Sequence, residues 1–128
     1  MSLATGGGLV YVGRENNLRV AVSTGTGKLA WRFEAQGPFL WRSPTVDGET
    51  LYVGSLDTRI YALDARSGKQ RWNYQTQGEA HTAQTTGDGL VYFSSGDNHL
   101  YMLNAQTGAF IWSRSFPGVV NSNVAIAP

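Results

Sequence analysis

The sequence predicts an all-β fold of three four-stranded antiparallel units, and three observations carry that expectation. Trp31, Trp72 and Trp112 recur 41 and then 40 residues apart, each four residues after a glycine (Gly27, Gly68, Gly108). The register extends past the tryptophans, because Tyr11, Tyr52 and Tyr92 keep it, as do Gly37, Gly78 and Gly118. No stretch holds apolar residues at i, i+3, i+4 and i+7 for three turns without a glycine, so helices are not expected. A fixed period near 40 residues marks a repeat architecture in which each unit buries its faces against its neighbours.

The repeats account for nearly the whole chain. Residues 8–48 form repeat one, 49–88 repeat two and 89–128 repeat three. Residues 1–7 fall outside and read as a start methionine followed by appended or linker residues. Sixteen glycines punctuate turns and fifteen aromatic residues fill a core between them, which is the composition of a strand-rich globular chain.

Repeat two shows why each element forms. Residues 50–55 (TLYVGS) are a β-branched and aromatic run introduced by Asp47-Gly48, a pair suited to a tight hairpin turn because both residues tolerate positive φ. Residues 59–65 (RIYALDA) follow a turn centred on Asp57-Thr58, and their mostly apolar character fits a strand covered on both faces. In residues 69–76, Gln70, Trp72 and Tyr74 alternate with Arg71, Asn73 and Gln75, as expected of a strand with one buried face. Residues 82–86 make a weaker strand before Asp88-Gly89 opens the next repeat. Four short antiparallel strands in about 40 residues describe one propeller blade.

The turn ahead of each tryptophan strand has its own logic. In residues 64–68 (DARSG) the Asp64 carboxylate can accept backbone N–H groups two or three residues on, while Gly68 supplies a left-handed backbone. Asn104 can do the same in repeat three. Ser23 is a weaker version, so the first repeat is expected to hold this turn less firmly.

Several function classes lose support. A net charge of +1 from ten basic and nine acidic residues gives no long-range field for nucleic acid or an anionic membrane. Without cysteine there is no disulfide, thiolate metal site or cysteine nucleophile. No apolar run approaches the roughly 18 residues of a membrane-spanning helix, so direct insertion is not expected. His81 and His99 lack any metal-ligand spacing and read as surface or loop histidines. Residues 24–28 (TGTGK) lack the GxxxxGK[ST] spacing of a phosphate loop and precede a strand, so they are a blade turn. Asp47 and Asp88 belong to hairpin turns, Asp57 and Asp97 to the following turns, with Asn16 in the equivalent place. A residue needed in every unit is structural; a catalytic residue is needed once.

Residues 61–72 (YALDARSGKQRW) and 101–112 (YMLNAQTGAFIW) resemble the repeat of the quinoprotein-like propellers, the PQQ-repeat family, and the resemblance covers residues 8–128. Ala62, Asp64, Gly68 and Trp72 match that motif in full. Ala21, Gly27 and Trp31 match with Ser23 departing, and Asn104, Gly108 and Trp112 match with Met102 departing. The resemblance implies that each tryptophan docks between neighbouring blades. It also implies two kinds of relative: quinone-dependent dehydrogenases, and cofactor-free scaffolds for outer-membrane barrel assembly or extracytoplasmic sensor domains of bacterial kinases. Many of the dehydrogenases have eight blades and clamp the quinone against a disulfide with calcium beside it, whereas this chain has three repeats and no cysteine. The expectation is therefore a non-enzymatic scaffold or ligand-binding platform with no cofactor, PQQ and calcium entering only under the dehydrogenase alternative, and a periplasmic or extracytoplasmic setting.

A partner or ligand face is expected where non-repeating loop residues converge: Phe39, Leu40, Trp41 and Arg42, then Glu79 and His81, then Val120 and Asn121. Trp41 stands out because it is outside the repeated tryptophan set. Propellers use about four to eight blades, so three leave two apolar faces bare. If each face exposes on the order of 500 Å², covering both is worth several to roughly 20 kcal/mol before association costs. The partner is expected to be further blades, either of a larger propeller of which this is a piece or of a second copy. In the latter case the chain would begin on a second strand at residues 9–13, end on a first strand at 123–127, and close head to tail as a dimer.

Overall fold

The computed structural model describes residues 2–13, 18–23, 25–35, 45–78, 80–85 and 88–115. They form three four-stranded antiparallel sheets whose strands lie in sequence order. The first contains β1 (Ser2–Gly6), β2 (Leu9–Gly13), β3 (Leu18–Ser23) and β4 (Leu29–Glu34). The second contains β5 (Thr45–Asp47), β6 (Thr50–Gly54), β7 (Arg59–Asp64) and β8 (Gln70–Gln75). The third contains β9 (Ala80–Thr85), β10 (Leu90–Ser95), β11 (His99–Asn104) and β12 (Phe110–Ser115).

One expectation needs correction here. The segment 1–7 is not an unstructured leader, since Ser2–Gly6 pairs along its whole length with β2, from Ser2 opposite Gly13 to Gly6 opposite Leu9. Gly7 and Gly8, at φ 58° and 78°, close the hairpin, and two consecutive positive φ values are what a two-residue turn between twisted strands demands. The first sheet therefore owns its first strand. The chain does not begin on a second strand, and the head-to-tail donation of residues 123–127 loses its acceptor; those residues lie outside the described ones.

The recurring residues turn out to be a single row across each sheet. Tyr11 lies opposite Ala21 and Ala21 opposite Trp31. Tyr52, Ala62 and Trp72 repeat the row, as do Tyr92, Met102 and Trp112. The central residue is alanine in two sheets and the flexible methionine in the third, and the Tyr–Trp centroids sit 6.0 Å apart across it in all three. Just beyond the row the pairing shifts: Val22 meets Leu29, Leu63 meets Gln70, and Leu103 meets Phe110. Ala30, Arg71 and Ile111 are thus left as the extra residue of a bulge beside each tryptophan.

Two cores separate the three sheets. The first gathers Tyr11, Ala21 and Trp31 against Leu51, Val53, Tyr61, Leu63 and Ala65. The second gathers Tyr52, Ile60, Ala62 and Trp72 against Val91, Phe93, Tyr101 and Leu103. Strand β7 serves both, sending Tyr61 and Leu63 one way and Ile60 and Ala62 the other, which is why its sequence is apolar without alternation. At about 1.5–3 kcal/mol for each fully buried large side chain, these layers supply the main cohesion of the stack.

Candidate blade-docking site

The docking site is built first from a turn. Asp64 ends β7, and its Oδ1 accepts the backbone N–H of Arg66 at 2.9 Å and of Ser67 at 3.0 Å. The Gly68 N–H donates to the Asp64 carbonyl at 2.8 Å, and Gly68 adopts φ 74°. On the other carboxylate oxygen, Arg71 donates at 2.9 Å while its second nitrogen donates to Thr50 at 3.0 Å. Arg71 is the bulge residue of β8, so the irregularity that aims Trp72 also returns a guanidinium to the turn. The Arg71 hydrogen bond, followed by the backbone donors, lowers the Asp64 carboxyl to about 2.

That turn is the seat for the preceding blade's tryptophan. The Trp31 indole lies flat over Gly68, so close that a Cβ on Gly68 would stand 2.5 Å from the ring. Its Nε1–H donates to the Ala65 carbonyl at 2.9 Å, and the side chain is 7% exposed. Glycine is required here twice over, for the positive φ and for the missing Cβ.

The next joint repeats the geometry. Asn104 Oδ1 accepts from Gln106 at 2.9 Å and Thr107 at 3.0 Å; a Cβ on Gly108 would stand 2.6 Å from the Trp72 ring; and Trp72 Nε1–H donates to the Ala105 carbonyl at 2.9 Å. Phe33 adds an edge contact to Tyr61 in the first joint at 5.3 Å, and Tyr74 packs on Tyr101 at 5.8 Å in the second.

The outer ends carry one half of a joint each. In the first sheet the Gly27 turn closes through its backbone, Gly27 N–H to the Ser23 carbonyl at 2.8 Å, with Gly27 at φ 71°. Beyond its chain neighbours, no described residue lies within 4 Å of where a Gly27 Cβ would stand. In the third sheet Trp112 is 37% exposed, beside exposed Phe110 and Ile111. Its indole N–H has no protein acceptor among the described residues.

A second feature lies where blades two and three meet. An open polar cleft of about 470 Å³ is lined by Tyr74, Gln75, Thr76, Gln77, Asp97, His99, Tyr101 and Ser113. Asp97 accepts from Tyr101 at 2.5 Å and from the Gln77 and His99 backbones at 3.2 and 3.1 Å. Burial pushes this carboxyl up, but these hydrogen bonds and one involving Ser95 outweigh it and hold it below its ordinary value. Asp57 makes the same short bond to Tyr61 in blade two, which marks the pair as a recurring turn clamp. His99 is spent locally, its Nδ1 2.9 Å from the Asp97 carbonyl. Below the cleft, Gly78 touches backbone directly: a Cβ there would stand 2.5 Å from Asp97 N. Thr76 fastens the same spot, with its hydroxyl 2.7 Å from the Gly78 carbonyl and 3.0 Å from Ser95 Oγ.

Of the expected partner-face residues, Trp41, Arg42, Glu79 and Asn121 lie outside the described residues, as do Phe39, Leu40 and Val120; His81 sits in β9 with its side chain outside the description. Gly37 and Gly118 are outside too. Among the described residues no group of three or more His, Cys, Asp or Glu could hold a metal ion.

Comparison with known proteins gives a consistent picture. A family profile described as outer membrane protein assembly factor BamB matches residues 2–126. Among solved structures, BamB from Moraxella catarrhalis is 24% identical, with TM-score 0.74 over 85% of this chain and 34% of that one. A quinohemoprotein alcohol dehydrogenase from Pseudomonas putida HK5 is 16% identical, TM-score 0.76, over 88% and 26%. The WD40 repeats of RRP9 are 13% identical, TM-score 0.75, over 85% and 36%. At these identities the structures speak to the β-propeller fold, and the chain spans between 26% and 36% of their lengths. No curated protein matches significantly.

Proposed function

This chain belongs to the PQQ-repeat β-propeller family described as outer membrane protein assembly factor BamB, and we propose that it is a non-enzymatic interaction module that binds protein through its blade faces and loops. The observation that carries the reading is the employment of its recurring polar groups. Asp64 and Asn104 hold docking turns, Asp57 and Asp97 clamp tyrosines, and the tryptophans are placed for blade-to-blade packing. Its exposed apolar surface includes Ile111 and Trp112 in β12, while Val10 and Val12 in β2 are half-buried. Such surface suits protein contact better than chemistry. The module takes no cofactor and works in an extracytoplasmic, periplasmic setting, in keeping with its family.

The competing reading is a piece of a quinoprotein dehydrogenase, and it has a direct test. PQQ and calcium are titrated into the purified chain while quinone absorbance and dye-linked alcohol oxidation are followed. No saturable binding and no turnover are expected; tight stoichiometric binding with turnover would sink the interaction-module reading.

A further inference from the structure

The polar cleft between blades two and three stands open where shorter residues replace a pair that is long and bonded in blade two, and we propose that it receives an arginine side chain of a protein partner. The proposal rests on the reading of the chain as an interaction module and names the chemistry that one part of it takes. The cleft lies between two described blades.

Blade two shows what belongs in such a place. Arg59 pairs with Gln75 across the sheet, and its guanidinium donates to Asn73 Oδ1 at 2.8 Å and to Gln75 Oε1 at 3.3 Å. The same residue belongs to the Asp57–Tyr61 clamp, its backbone N–H donating to Asp57 Oδ1 at 3.0 Å while the Tyr61 hydroxyl donates to Oδ2. Blade three keeps the clamp and loses the guanidinium. Asp97 accepts from the His99 N–H at 3.1 Å and from the Tyr101 hydroxyl, but His99 stands in the place of Arg59, and Ser113, opposite Tyr101, in the place of Asn73. Two long side chains become two shorter ones, and His99 and Ser113 both line the cleft of about 470 Å³.

The lining suits a guanidinium in charge, shape and hydrogen bonding. The Asp97 side chain is 10% exposed and its carboxyl is held below its ordinary value, so it carries full negative charge at neutral pH. No lysine or arginine is among the described residues lining the cleft, and the field there favours a cation. The Tyr74 and Tyr101 rings, 5.8 Å apart, offer aromatic surface to a planar cation. The side chains of Gln75, Gln77 and Ser113 supply neutral oxygen acceptors of the kind that Asn73 and Gln75 offer Arg59. Several acceptors around a flat site match the fork of donors on arginine better than the point charge of lysine, and arginine is enriched in protein interfaces.

The test titrates the capped tripeptide acetyl-Gly-Arg-Gly-amide into the full chain and follows its backbone amides by nuclear magnetic resonance. The amides of Gln77, Asp97, His99 and Ser113 are expected to shift saturably at millimolar peptide. Replacing the arginine by citrulline, which keeps the shape and drops the charge, should weaken binding at least ~10-fold. The double variant His99→Arg, Ser113→Asn copies the blade-two pair into blade three. It should keep the circular dichroism spectrum and lose the shifts, because its own guanidinium fills the cleft; if it does not fold, the citrulline comparison decides alone. No saturable shift, equal binding of the citrulline peptide, or binding that survives in the folded double variant would overturn the proposal. So would maltose shifting the same amides where the arginine peptide does not, which would make the cleft a saccharide site. Each of these failures leaves the interaction-module reading standing, since that reading fails only in the quinone titration.

Discussion

Trp31 and Trp112 occupy the same place in the same repeat, each 6.0 Å from its tyrosine across a small or flexible residue, yet one is 7% exposed and the other 37%. The difference lies in the neighbour. Trp31 has the Gly68 turn beneath it; Trp112 has no such turn among the described residues. A repeat motif therefore defines half of an interaction, and its energetic role is fixed by what the next unit presents.

The largest effect should come from deleting the ring. Trp31→Ala and Trp72→Ala are expected to destabilise the fold by ~3–5 kcal/mol in urea unfolding, each losing a packed indole and a hydrogen bond to a buried seat. Trp112→Ala, which empties no seat among the described residues, should cost under ~1 kcal/mol. Equal losses at all three positions would erase the contrast.

The seat gives the next test. Gly68→Ala adds a Cβ 2.5 Å from the Trp31 ring as well as strain at φ 74°, and should cost ~2–4 kcal/mol. Gly27→Ala pays only for its positive φ, ~1 kcal/mol, in the same unfolding assay.

The turns beneath the two internal tryptophans differ in charge, and pH should separate them. The Asp64 carboxyl is lowered to about 2 in the fold, so its contribution is fully present above about pH 4 and is lost as pH falls toward 2. Because the Asp64–Arg71 pair is a third exposed, that contribution is ~0.5–1 kcal/mol after solvent screening. Asp64→Asn, which copies the Asn104 turn, should flatten the acid limb of thermal stability between pH 4 and 2; an unchanged limb would remove Asp64 from the account.

The smallest effect is expected where Thr58 and Asn98 hold equivalent left-handed positions, at φ 73° and 68°. A β-branched residue resists that backbone and asparagine accepts it, so Thr58→Asn should raise stability by ~0.5 kcal/mol, seen as a higher melting temperature.

Much of this was legible from the chain. Three blades, the strand order within each, the Asp64 and Asn104 turns and the two-sided burial of residues 59–65 all follow from period, turn residues and apolar runs. The first strand was not, because Ser2–Gly6 carries neither alternation nor a β-branched run and sits where a leader would sit; only the Gly7-Gly8 pair, in the place of Asp47-Gly48, could have signalled it. The seats were half legible. Period identifies Gly68 and Trp72 as a unit, but Gly68 receives the tryptophan of the blade before, a pairing set by three-dimensional stacking. The Asp57–Tyr61 and Asp97–Tyr101 clamps had a readable signal, an aspartate four residues before a tyrosine in two repeats. Thr76 with Ser95 had none, since a single hydroxyl pair between blades leaves no periodic trace.

The indole N–H bonds give each internal joint its own clock. The Trp31 proton rests on Ala65 and the Trp72 proton on Ala105, both across a boundary between sheets. Neither can trade with solvent deuterium until its boundary parts. Side-chain exchange rates followed by nuclear magnetic resonance would then time the opening of each boundary separately, distinguishing a stack that breathes one blade at a time from one that comes apart as a whole.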